Sequence, residues 1–133
     1  MVEVEWAETS EGAIGWDEEI EAVVHDWSGN PDSQTYRELL RESLSVIERR
    51  SATKLLSDSR DMGVLSGADQ RWSLEEWYPR AVEAGVERVA VVYPEETLAS
   101  HQIDAMARED FDPPVDRLFT DDVDEARDWL ALD

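Results

Sequence analysis

The sequence predicts a small α/β sandwich, in which a mixed, mostly parallel sheet of five or six strands packs with about four helices. Three observations carry this. The N-terminal stretch sets Val2, Val4 and Trp6 against Glu3 and Glu5, the period of two of a strand with one buried face. After residue 27, strand-like runs alternate with helix-like ones, a pattern that requires right-handed crossovers and a largely parallel sheet. The run from Val89 to Tyr93 is continuously apolar, the composition of a strand buried on both faces.

Taken in order, Thr9 to Gly12 reads as a turn. Ala13 to Asp17 and Ile20 to Trp27 form two more extended pieces around Glu18 and Glu19, so an antiparallel hairpin or meander opens the fold. Ser28 to Ser33 is the densest turn cluster, and Asp32 or Ser33 caps the next helix. From Gln34 to Arg50, Tyr36, Leu39, Leu40, Leu44, Val46 and Ile47 recur at helical spacing and leave Arg37, Glu38, Arg41, Glu42 and Glu48 to solvent. Thr53 to Ser57 supplies a short strand, and Asp58 to Leu65 a loop. Ser66 or Ser73 then caps a helix bearing Trp72, Trp77 and Ala81 and ending at Gly85; Ser73 and Glu76 have capping-box spacing, and Pro79 predicts a kink. Arg88 to Tyr93 is the central strand. Leu98, Ile103 and Met106 mark a third helix, Val115 to Phe119 a last strand, and Asp121 to Leu132 a closing helix with Val123, Ala126, Trp129 and Leu130 inward. Nothing repeats and no linker divides the chain, so residues 1–133 read as a single domain.

Charge bounds the environment more than the chemistry. Asp and Glu number 33 against 12 basic residues, among which Lys54 is the only lysine, for a net charge of -21. A hydrophobic content of 41% with six Trp excludes a disordered chain, and the carboxylates are spread rather than blocked as in an acidic tail. The expectation is a halophilic protein with a solvated acidic shell, whose self-repulsion is screened once the Debye length falls to about 3 Å near 1 M salt. No Cys is present, which removes disulfides, thiolate metal sites and a cysteine nucleophile. Met1 to Trp6 lacks the regions of a signal peptide, and no apolar run approaches the ~20 residues of a membrane span, so a cytoplasmic location is expected.

Motif searches narrow the classes further. Basic patches are missing, so nucleic acid is not an expected partner. There is no Gly-rich loop ending in Gly-Lys-Ser/Thr, no GxGxxG and no GxSxG, which withdraws support for phosphoryl transfer, dinucleotide binding and α/β-hydrolase chemistry. His25 and His101 have no ligating partner at helical spacing, and the Asp110 to Asp112 start of a calcium loop is spoiled by Pro113 and Pro114. No metal, cofactor or enzymatic activity is expected.

The order and spacing of several short pieces resemble the SpoIIAA-like family, whose members carry the STAS-type fold and are often labelled STAS/Sec14-like. The pieces are Trp27 to Gly29, Tyr36 to Glu38, Lys54 to Arg60, Asp69 to Trp72, Trp77 to Arg80, Gly85 with Arg88 to Val91, and Ala126 to Leu130. The resemblance implies a five-stranded mixed sheet with four helices and no established common reaction. STAS proteins of the anti-sigma-antagonist type present a phosphorylatable Ser in an Asp-Ser-Ser-Gly or Asp-Ser-Thr-Gly motif. The nearest counterpart is Leu65-Ser66-Gly67, which lacks the preceding Asp, so Ser66 reads either as a phosphosite or as a helix N-cap.

Ligands of open α/β sheets gather beyond the carboxyl ends of parallel strands, near a topological switch point, here Asp58-Ser59-Arg60 and Tyr93-Pro94-Glu95 with Trp27 nearby. Arg60 suits bidentate binding of a carboxylate or phosphate with Asp58 orienting it, or else an ion pair with Asp58 or Asp69. Trp72 and Trp77 line an apolar cavity or fill the core, and Arg80 reaches the same crevice or decorates the surface. The expected function is a non-enzymatic STAS-like regulatory or protein-interaction module that meets an unknown protein, or a second copy of itself, through the loops after Asp58 and Tyr93. The alternative is a small-molecule binder holding an anionic or apolar, lipid-like ligand between Arg60, Trp27 and the Trp72/Trp77 helix.

Overall fold

The computed structural model describes residues 4–9, 12–110 and 114–132. The predicted alternation over residues 2–6 falls on side chains outside the described ones, and Asp112 and Pro113 of the calcium-loop comparison lie outside the described residues. The elements are β1 Val4–Thr9, β2 Gly12–Asp17, β3 Ala22–Gly29, α1 Ser33–Arg50, β4 Lys54–Met62, α2 Gly67–Trp72, a π-helical turn Ser73–Trp77, α3 Tyr78–Glu83, β5 Arg88–Val92, α4 Thr97–Ala107, β6 Asp116–Thr120 and α5 Val123–Ala131. Because α2, the π turn and α3 run on without a break, the helices form four rods.

The strands lie in the order β1-β2-β3-β4-β5-β6 in a single six-stranded sheet. β1, β2 and β3 pair antiparallel, and β3 through β6 pair parallel. The parallel strands therefore advance in one direction without reversing, and successive right-handed crossovers place α1, the α2–α3 rod and α4 on the same face. This corrects the expected switch-point crevice, since the parallel half has no reversal of strand order to open one.

The two faces are unequally covered. The larger core lies under the three crossover rods and joins Ile14, Trp27, Leu40, Leu55, Trp77 and Val89. The smaller core, with Val24, Leu56, Ala90 and Val92, is closed by Ala126 and Leu130 of α5. β5 feeds both, as its continuous apolar run predicts.

Local chemistry sets the boundaries. Asp32 caps α1 by accepting from Thr35 N–H at 2.8 Å, and Ser51 ends it in the left-handed region at φ 52°. Along α1 the buried stripe includes Ser43, while Leu44 is only half-buried. Gly85, at φ +124°, turns the chain out of the α2–α3 rod toward β5. One expectation is corrected: the predicted loop from Asp58 is strand as far as Met62. Leu98 of α4 is 64% exposed. The helix runs on through Pro79, where the preceding π turn, in which Tyr78 N–H reaches Ser73 O, widens the backbone ahead of the ring.

Candidate functional site

A cavity of about 30 Å³ lies between the covered face of the sheet and the helices. Its floor starts from the register of β3 and β4. His25 lies directly beside Ser57, whose other neighbour is Val91 of β5, so all three project to the same face. Trp27 and Ser59 follow two residues on. Between Asp58 and Asp61, β4 carries one residue more than β3, and this bulge returns Met62 to the cavity side. Tyr36 and Leu40 of α1, with Ser73, Trp77 and Tyr78 of the π turn and its continuation, form the roof. Phe119, the register neighbour of Val91 on β6, extends the floor, and Leu65, Ile103 and Met106 complete the lining.

Aromatic rings frame the polar atoms. His25 meets Trp27 and Trp77 edge-on at centroid distances of 5.7 and 5.4 Å. Trp27 Nε1–H donates to Ser57 Oγ at 3.2 Å, and Trp77 Nε1–H donates to Leu40 O at 2.6 Å. Gly12 permits this packing, because a Cβ there would stand 3.1 Å from the Trp27 ring and from Asp26 O. His25 Nε2 lies 2.5 Å from Ser43 Oγ, and burial pushes the imidazole pKa down to about 3, so the ring is neutral. Burial likewise raises the Tyr36 hydroxyl to about 12. Among the described residues, no Asp, Glu, Lys or Arg lines the cavity.

Ser43 does not line the cavity, so the hydroxyl paired with His25 is not presented to a bound molecule. Among the described residues, no group of three or more His, Asp and Glu side chains is placed to hold a metal ion.

The residues singled out from the sequence separate. Trp27 and Ser59 are in the cavity, as is Trp77. Asp58 and Arg60 are on the opposite face, because β4 continues through them and alternates. Arg60 Nε and Nη2 donate to the two Asp58 oxygens at 3.0 and 2.7 Å, a closed pair beside a shallow groove that also receives Asp17, Asp26 and Arg127. Arg60 does not reach Asp69. Asp69 is buried and accepts from Ser33 Oγ at 2.8 Å and Arg37 Nε at 3.0 Å, while its N–H donates to Ser66 Oγ, which makes Ser66 the N-cap of α2. Trp72 lies outside the cavity beneath Arg37 and Arg41, whose guanidinium carbons are 5.0 and 5.5 Å from its ring centroid. Arg80 is exposed. Tyr93 turns away and donates to Asp104 Oδ1 at 3.2 Å.

Sequence reasoning missed the cavity's polar residues, His25 with its partner Ser43, and Ser57 and Ser73. Ser43 carried a signal, since it falls on the apolar stripe between Leu39 and Val46. Arg127, which pairs with fully buried Asp17 across the second core, was also missed. Burial alone would raise the Asp17 pKa, but the Arg127 hydrogen bond and charge, with the Ile20 N–H, outweigh it and hold the carboxyl below its usual value.

Comparison with known proteins follows from this geometry. A crystal structure of an uncharacterised protein of the DUF3478 family with a SpoIIAA-like fold, from Shewanella loihica, is similar at a TM-score of 0.61 and 18% identity, covering 94% of this chain and 98% of that one. At that identity the likeness shows the fold. No curated protein matches the chain. No helix among the described residues is long and apolar enough to cross a membrane. The family model for SpoIIAA-like proteins matches residues 22–131, from β3 to the end of α5, and the chain belongs to the SpoIIAA-like family.

Proposed function

We propose that this protein is a non-enzymatic binding module of a high-salt cytoplasm that takes a small, uncharged, largely apolar ligand into the cavity beneath the α2–α3 rod. One observation carries the reading: a chain of net charge -21 lines this cavity with aromatic and aliphatic side chains, hydroxyls and a neutral imidazole, and, among the described residues, with no charged group. An unpaired carboxylate or phosphate entering such a lining would lose its hydration without gaining a cation, a cost of several kcal/mol. The anionic ligand considered from the sequence loses its cation, because Arg60 is on the other face.

At about 30 Å³ the cavity is far smaller than the roughly 300–1,000 Å³ of pockets for drug-sized ligands. Entry therefore requires Met62 and Met106 to repack, which their unbranched, flexible side chains allow. The test is a panel of small neutral compounds followed by Trp fluorescence and melting temperature in molar salt, with native mass spectrometry of protein taken from its own cytoplasm. Saturable stabilisation or a co-purified neutral mass supports the reading; a panel without effect together with an empty mass spectrum refutes it.

A second reading, contact with a protein partner or a second copy, draws on Val64 and Leu98. They are 39% and 64% exposed and flank the place where Gln102 bonds both Leu65 N–H and Leu65 O, at 3.0 and 2.8 Å. High salt strengthens such apolar contacts. Pull-down in molar salt should lose its partner on Leu98→Asp. Ser66, an exposed N-cap, would act as a phosphoswitch in this reading only if Ser66→Asp and Ser66→Ala differ in binding.

A further inference from the structure

The cavity is not uniformly apolar, and three of its hydrogen-bonding side chains stand together on β3 and β4. His25 and Ser57 are register neighbours on β3 and β4, and Ser59 follows on the same face of β4. Two of these groups are already oriented. Ser57 Oγ accepts the Trp27 indole N–H, which leaves its own hydroxyl hydrogen as a donor. His25 Nε2 is taken by Ser43 from the α1 side, and rings of Trp27 and Trp77 stand edge-on to the imidazole and limit its rotation. With Nε2 committed, hydrogen bonding to a guest falls to Nδ1.

Resting on the cavity reading above, we propose that His25, held by Ser43, is the residue that selects the ligand: together with the Ser57 and Ser59 hydroxyls it receives one polar end, so the ligand is a neutral molecule with an apolar body and a single hydroxyl or carbonyl group. On the roof the Ser73 hydroxyl is committed to Gln70 O at 2.8 Å, and Val91, Ile103, Met106 and Phe119 offer dispersion contact to the body of such a guest. A ligand lacking the polar end leaves these groups unpaired, and an ionised one finds no counter-charge. The site thus discriminates by hydrogen bonding, the regime in which buried polar groups give their strongest selectivity.

Three probes of nearly equal shape test this: phenol, toluene and benzoate, titrated into the full chain in molar salt. The readouts are dissociation constants and the ¹⁵N shifts of His25, distinguishable from the exposed His101. Phenol should bind about tenfold more tightly than toluene, benzoate should not bind, and His25 Nδ1 should shift with phenol and stay unmoved with toluene. His25→Phe should remove the preference for phenol and spare toluene; because the nitrogen shift is read in the wild type, the test stands even if that variant fails to fold. Equal binding of phenol and toluene, with His25 unmoved, overturns the proposal while leaving a cavity binder intact. No binding by any of the three overturns both.

Discussion

His25 illustrates how a single buried side chain ties stability to pH. Its pKa is about 3 in the folded chain against 6.5 for the free group, because burial disfavours the charged ring. The unfolded chain therefore binds a proton that the folded chain refuses, and stability is lost as pH falls from about 6.5 toward 3. The slope approaches about 1.4 kcal/mol per pH unit, so urea melts in molar salt should show a loss of about 1–2 kcal/mol between pH 6.5 and pH 5 that is absent in His25→Gln. Asp17 acts lower down: its depressed pKa contributes stability above the usual carboxyl value of 3.8 that disappears as pH falls below it. Truncating its partner, Arg127→Ala, takes the guanidinium from a fully buried carboxylate, which keeps its bonds from the Glu19 and Ile20 N–H groups, and should cost about 3–5 kcal/mol at neutral pH in denaturant melts. Neither role was visible in the sequence, because each depends on a partner far along the chain, Ser43 for His25 and Arg127 for Asp17.

Elements divide the labour unequally. Three rods cover one face of the sheet, whereas α5, nine residues long, closes the other with Ala126 and Leu130. Leu130 is fully buried, and no other helix contributes to that core, so Leu130→Ala should cost about 2–5 kcal/mol and lower the melting temperature measurably. The π turn Ser73–Trp77 brings Ser73 and Trp77 together onto the cavity roof ahead of Pro79. A helix here was legible from Trp72, Trp77 and Ala81; the π turn was not, since its signature is a hydrogen-bond offset rather than a spacing of residue types. α1 and β5 were legible almost to their ends, because a strong apolar stripe and a continuous apolar run are local patterns. β4 was underestimated, since Asp58 to Asp61 is too polar to be read as strand and is held there by pairing with β3.

For the whole molecule, the acidic shell sets the conditions. With a net charge of -21 and a Debye length of ~10 Å in 0.1 M salt, self-repulsion opposes the compact state; at 1 M it acts over only ~3 Å. Circular dichroism and thermal melts should show a folded chain in molar KCl and a large fall in melting temperature on dilution, and identical curves in both would remove the halophilic reading. The sequence by itself determined the α/β class, the order of its elements, the pairs of residues from which the caps Asp32 and Ser66 are drawn, and the net charge, because periodicity, capping and composition act within a few residues of the chain. Only the tertiary structure decided which face each side chain serves. The one-directional strand order stacked three crossovers on one side, and the alternation and bulge of β4 sent Arg60 to the uncrowded face and Ser57, Ser59 and Met62 to the crowded one. The candidate site thus lies not at the expected arginine of a strand end but at a neutral histidine between the sheet and the helices, a position set by the register of strands distant in sequence.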